Sequence, residues 1–172
     1  MTVNIREFPG VSLSSADFEE RRVLYTEWDP RARYAWDAGV AIGRYLAELK
    51  AGRIVGTRCR HCRRTVVPPR IVCEWCFEPM DEWVTLQDTG TVNTFSICYV
   101  TWDMQRLERP EIPAVIEIDG TTPPVGIMHL LGEVEPDEVK IGMKVRAVWK
   151  PPEEREGAIT DIKYFKPMTN DE

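Results

Sequence analysis

Apolar positions along the chain fall first into a spacing of three and four, then into strict alternation. Tyr34, Ala38, Ile42, Tyr45 and Leu49 recur at helical spacing, and Trp36, Val40 and Leu46 broaden the stripe. Asp29-Pro30 offers a capping acceptor before a proline at the first helical position, and Gly52 offers a stop. The pattern therefore predicts a helix between them. A shorter helix is expected from Ser14 or Ser15 to about Tyr25, with Asp17, Glu19 and Glu20 in or near its first turn. Residues 1–13 read as an extended arm with a turn at Phe8-Pro9-Gly10.

Beyond Trp83 the period changes to two. Val92 to Val100 alternates, with Phe95, Ile97 and Tyr99 on one face and Thr94, Ser96 and Cys98 on the other. Ala114–Ile118, Val125–Leu131, Val145–Trp149 and Ile159–Phe165 read as further strands, separated by Asp119-Gly120, Pro123-Pro124 and Pro151-Pro152. Five short strands favour a small closed barrel, an OB-fold first and a β-sandwich second. The expected fold class is α+β. An arm and docking helices occupy residues 1–52, an OB-fold barrel 84–167 and a loose tail 168–172, and the span between, 53–83, holds four paired cysteines that read as a zinc ribbon.

The most specific chemistry lies between helix and barrel. Cys59-Arg60-His61-Cys62 and Cys73-Glu74-Trp75-Cys76 are two Cys-x-x-Cys pairs separated by ten residues. That spacing lets Cys59, Cys62, Cys73 and Cys76 surround one Zn2+ ion. Two disulfides or two redox dithiols are the alternative, and an intracellular chain without secretory features disfavours it. Four thiolates fill a tetrahedral shell, so the metal would be structural.

Charge refines this picture. The 172 residues carry a net −6, yet Lys50 to Arg70 holds seven basic residues and no acidic one. Such an island suits phosphates, a nucleotide tail or an acidic partner surface. It equally suits a solvated ribbon whose arginines pair with nearby carboxylates. Arg6 and Glu7 interrupt the start before any leader-like apolar run, and no stretch has the ~20 apolar residues of a membrane span, so a cytoplasmic location is expected.

Other candidates are weaker. Among catalytic motifs there is no Gly-x-Ser-x-Gly elbow and no His-Glu-x-x-His. His61 reads as a surface residue of the first knuckle and His129 as a half-buried strand residue. Cys98 has neither a base nor a cation beside it in sequence, so it reads as a core thiol. The acidic runs Glu133–Glu138 and Glu153–Glu156 read as solvated loops. A surplus of aromatic side chains in the helical region, including Trp28, Tyr34, Trp36 and Tyr45, fits a surface that docks on another protein. Packing on the chain's own sheet is the alternative. A zinc ribbon beside an OB-fold also suits a single-stranded nucleic-acid binder, although the barrel portion is acidic.

The order of helix, Cys-x-x-Cys, Pro68-Pro69-Arg70, Cys-x-x-Cys, Trp83, Gly90-Thr91-Val92 and Gly142-Met143-Lys144-Val145 resembles a known family. Its members are zinc-ribbon/OB-fold proteins that accompany thiolase-like acyl-CoA enzymes, and the likeness spans roughly residues 35 to 167. The resemblance implies a rubredoxin-like zinc ribbon and a non-catalytic subunit in a hetero-oligomer with a thiolase-fold protein. That partner would carry the nucleophile for carbon–carbon bond cleavage or formation on an acyl-CoA. Small subunits of benzoylsuccinyl-CoA thiolase, from anaerobic toluene breakdown, are one branch it is similar to. The resemblance implies that coenzyme A or acyl-CoA lies at the subunit interface, with Arg60, Arg63, Arg64 and Arg70 facing its phosphates or the partner's acidic rim. One departure is that Arg63 and Phe77 stand where zinc knuckles often carry glycine, which predicts less regular knuckles.

Overall fold

In a computed structural model the structure describes residues 13–26, 31 and 33–168. The chain divides into two compact units, Met1–Trp36 and Asp37–Glu172. Within the first, α1 spans only Ser15–Glu19. Asp17 reaches back to accept hydrogen bonds from the Ser14 amide and hydroxyl, both at 2.7 Å. The expected continuation to Tyr25 does not form. Arg21 adopts φ +53°, and the Arg22 amide donates to the Asp17 carbonyl at 2.9 Å while Arg21 donates to Phe18. This is a Schellman stop built without the glycine that would have marked it in sequence.

In the second unit, α2 spans Gly39–Lys50 and ends as expected at Gly52, whose φ of +75° closes the same kind of stop. Its start differs from the expectation. Asp29-Pro30 lies outside the described residues, and residues 33–38 are not helical. Asp37 Oδ1 instead accepts from the Gly39 amide at 2.7 Å, where Gly39 turns the chain at φ +67°. The buried face is Ala41, Tyr45 and Leu49, a run of i, i+4 steps, while Val40 and Ile42 point outward.

The ribbon follows. β1 (Ile54–Arg58) lies between β2 (Thr65–Val66) and β3 (Glu82–Leu86), antiparallel to both. The remaining strands are β4 (Thr89–Phe95), β5 (Cys98–Val100), β6 (Arg106–Ile118), β7 (Ile127–Leu131), β8 (Lys144–Trp149) and β9 (Ile162–Pro167). β4 pairs β6, β6 pairs β7, β7 pairs β9 in parallel, and β9 pairs β8, which returns to β4. This ring of five strands is the OB-fold order. β5 pairs β6 alone. The alternating run Val92–Val100 is thus two strands: β4 bulges between Val92 and Thr94 and ends at Phe95, and Ser96 donates to the Pro113 carbonyl.

The barrel interior, built from residues such as Val92, Ile116, Val145 and Phe165, belongs to one apolar cluster with Tyr45 and Leu49 of α2 and Ile54 and Val55 of β1. The helix is therefore held by the chain's own core. Among the described residues no helix is long and apolar enough to cross a membrane.

Candidate metal centre

Each Cys-x-x-Cys pair sits at a tight turn, and the two turns repeat one hydrogen-bond pattern. Arg63 donates to the Cys59 carbonyl and Phe77 to the Cys73 carbonyl, both at 2.9 Å. Cys59 in turn donates to Arg64 and Cys73 to Glu78, again at 2.9 Å. Arg63 and Phe77 adopt φ of +63° and +58°. The knuckles are thus regular, contrary to the expectation from the missing glycines; the left-handed conformation is kept and non-glycine side chains bear its cost.

These turns bring four sulfurs to one point. Cys59 Sγ lies 3.5 Å from Cys76 Sγ and Cys62 Sγ 3.5 Å from Cys73 Sγ, with all four within 4.8 Å of one another. A tetrahedral zinc with Zn–S near 2.3 Å requires sulfurs ~3.8 Å apart, so the residues fit the ion. Cys59 and Cys73 are buried and Cys62 is exposed. Val66 and Met80 complete a second, small apolar cluster around them.

The thiols polarise one another. The Cys62 amide holds the Cys59 thiol below its ordinary value. Burial pushes the Cys73 thiol up, but the amides of Trp75 and Cys76 outweigh it and bring the thiol down to about 7. Cys76 is pushed up to about 12, because burial and the neighbouring sulfurs overcome the Glu78 amide. Four sulfurs this close cannot all ionise unaided, whereas a bound dication favours every thiolate.

A match to the description "ChsH2, rubredoxin-like zinc ribbon domain" covers residues 46–81, and a match to "ChsH2, C-terminal OB-fold domain" covers residues 83–150. A DUF35 domain-containing scaffold protein of Methanocaldococcus jannaschii is 30% identical over 120 residues, which are 68% of this chain and 83% of that protein. The chain belongs to the ChsH2/DUF35 family. A crystal structure of a DUF35 protein of unknown function from Sulfolobus solfataricus matches this DUF35 chain with a TM-score of 0.56 and 27% identity, covering 64% of this chain and 78% of the other. The Ltp2-ChsH2(DUF35) aldolase matches with a TM-score of 0.54 and 23% identity, over 78% of this chain and 98% of that one.

The remaining candidate residues fall into two groups on the DUF35 chain. Every arginine of the basic island meets a carboxylate. Arg58 and Arg63 pair with Glu82 at 3.2 Å, Arg60 with Asp81 at 3.0 Å and Arg53 with Glu48. Arg64 and Arg70 pair with Glu74 at 2.9 and 3.4 Å. Arg64 is only 6% exposed and lies over the Trp75 ring at 4.0 Å. Of these carboxylates Glu74 lies only four residues from Arg70, whereas Glu82 meets Arg58 across the β1–β3 pair, a contact that sequence proximity does not indicate.

The aromatic candidates separate as well. Trp28 lies outside the described residues. Tyr34 and Trp36 are exposed and stack on each other with centroids 6.1 Å apart. Tyr45 is 2% exposed and belongs to the core, so its ring is not a docking surface. His61 is exposed. His129 is half-buried, with Nε2 3.2 Å from the Ile159 carbonyl, and Cys98 pairs across from Glu111.

Proposed function

We propose that this chain is a zinc-stabilised, non-catalytic subunit of an acyl-CoA enzyme complex whose thiolase-fold partner performs the carbon–carbon bond chemistry. The observation that carries the reading is the four-sulfur cage. Cys59, Cys62, Cys73 and Cys76 use every position of a tetrahedral ion, leaving none for water or substrate, so the ion braces the ribbon. Two relatives support the assignment by what their names say of them: one is a scaffold protein, and the other is the ChsH2 part of an aldolase that also contains Ltp2. In this chain the ribbon and barrel would present loops to a coenzyme A thioester at the subunit interface. Arg60, Arg63 and Arg70 are exposed and could exchange their carboxylates for its phosphates. Arg64, buried against Glu74 and Trp75, would hold the second knuckle instead.

The test is purification of the tagged chain from its native host. One zinc per chain and a co-eluting thiolase-fold subunit are expected, with acyl-CoA turnover by the pair and none by this chain alone. Turnover by the isolated chain would end the proposal. So would salt-sensitive binding of single-stranded oligonucleotides in place of a protein partner, since the OB-fold also serves that role elsewhere.

A further inference from the structure

β6 is far longer than the barrel needs. Ile112 is its first buried residue, and the six positions from Arg106 to Glu111 run beyond the barrel with β5 as their paired strand, Arg109 and Pro110 at the base sharing a cavity with the Glu133–Glu138 connection. At the usual rise per residue that is a projection of about 20 Å. None of residues 99–111 is buried. A two-stranded hairpin with no layer packed on it is marginal in water.

The tip nevertheless holds a defined conformation. Thr101 donates its amide to the Gln105 carbonyl at 2.8 Å, and its hydroxyl accepts from the Gln105 amide at 3.0 Å. Met104 donates to the Thr101 carbonyl at 3.0 Å and adopts φ +65°. The turn presents Trp102 at 96% exposure and Met104 at 85%, and neither shields any part of the core. A pre-ordered turn backbone surrenders little conformational freedom on binding, and tryptophan is prominent among residues that dominate interface energies.

Charge decides what such a tip fits. Residues 99–109 carry Asp103 and Glu108 against Arg106 and Arg109, a balance of zero. A nucleic-acid finger needs a positive groove, and a membrane anchor needs lysines or arginines around its apolar tip. A neutral rim around an indole and a thioether suits an apolar pocket on another protein. The base of the finger continues the same character. Pro113 of β6 lines an open, mainly apolar groove of about 530 Å3 with Met128, Leu130 and Ile159, edged by Lys150 and Lys163.

We propose that the β5–β6 hairpin is a docking finger whose Trp102 and Met104 seat in an apolar pocket of the enzyme subunit this chain accompanies. The proposal rests on the accessory-subunit reading above. Its test places a photocrosslinking p-benzoylphenylalanine at position 102 of the full chain, and at position 154 as a control, in the native host. Position 102 should crosslink to the co-purifying thiolase-fold subunit and position 154 should not. Trp102→Ala should lower the amount of that subunit recovered by about tenfold or more, while the thermal midpoint of the chain alone stays unchanged. A complex recovered at full yield with Trp102→Ala and with no crosslink from position 102 would overturn the finger and leave the accessory role standing. Crosslinks to lipid or nucleic acid would also overturn it. Absence of any complex would remove both readings.

Discussion

Phe77 occupies a left-handed position that glycine fills at no steric cost, and its ring is largely exposed. Phe77→Gly should therefore stabilise the metal-loaded chain by about 0.5–1 kcal/mol, the relief of backbone strain less the greater freedom of glycine when unfolded. Chemical denaturation of the two forms at saturating zinc checks this. Tyr45 gives the complementary case. Its hydroxyl is buried with no hydrogen-bond partner among the described residues, and burial pushes it up to about 12. Removing an unpaired buried hydroxyl costs little, so Tyr45→Phe should be neutral or stabilising by about 1 kcal/mol. A marked loss of stability in the same denaturation experiment would show that the hydroxyl is satisfied after all. The four cysteines were legible in sequence because ligand spacing is a local property. That Arg63 and Phe77 keep the left-handed turn was not, because their place after each cysteine pair marks it while their residue types argue against it.

Elements were legible wherever one face is buried and punctuated by a special residue. Gly52 ended α2 as expected, and the alternation of Ile112, Ala114, Ile116 and Ile118 followed the barrel wall. Reading failed where no residue type marks the boundary: α1 stops at Arg21, which takes a left-handed conformation without being glycine, and the outer half of β6 carries no apolar face to signal a strand. The connection from β8 to β9 offers a test at this scale. Asp161 is buried, and its carboxylate accepts from the amides of Glu156, Gly157 and Ala158 at 2.8–3.2 Å. Burial pushes its pKa up, but these amides prevail and hold it below the usual carboxylate range. The folded value therefore lies below the unfolded value of about 3.9. Its stabilisation is full at neutral pH and is lost as pH falls through the folded value. Urea midpoints between pH 7 and pH 3 should fall at the acid end for the native chain, with Asp161→Asn weaker at neutral pH and flatter with acid.

For the Asp37–Glu172 unit, the charge pattern proved informative in a different way from its total. The arginines of the basic island stand on carboxylates of the same ribbon, or in the case of Arg53 on Glu48 of α2, and the exposed pairs among them add little stability each. The second apolar cluster has few members beyond its cysteines, so the ribbon depends on its ion. Stripping zinc with a strong chelator should melt the ribbon, and Cys59→Ser should do the same with zinc present. Loss of the near-ultraviolet circular dichroism signal of Trp75 and Trp83, together with metal content, reports both. The fold class was readable from sequence because two periodicities and two cysteine pairs are each self-contained. Which arginine meets which carboxylate was not, since it depends on strands pairing across long separations.

β9 lies between β7 and β8, and it supplies Ile162 and Phe165 to the interior. While the polypeptide is still emerging from the ribosome, β7 and β8 have no strand to join them until synthesis has passed Pro167. Until then the growing chain must hold an open, apolar half-cylinder, and a stall or truncation before residue 162 would leave that surface to chaperones and proteases.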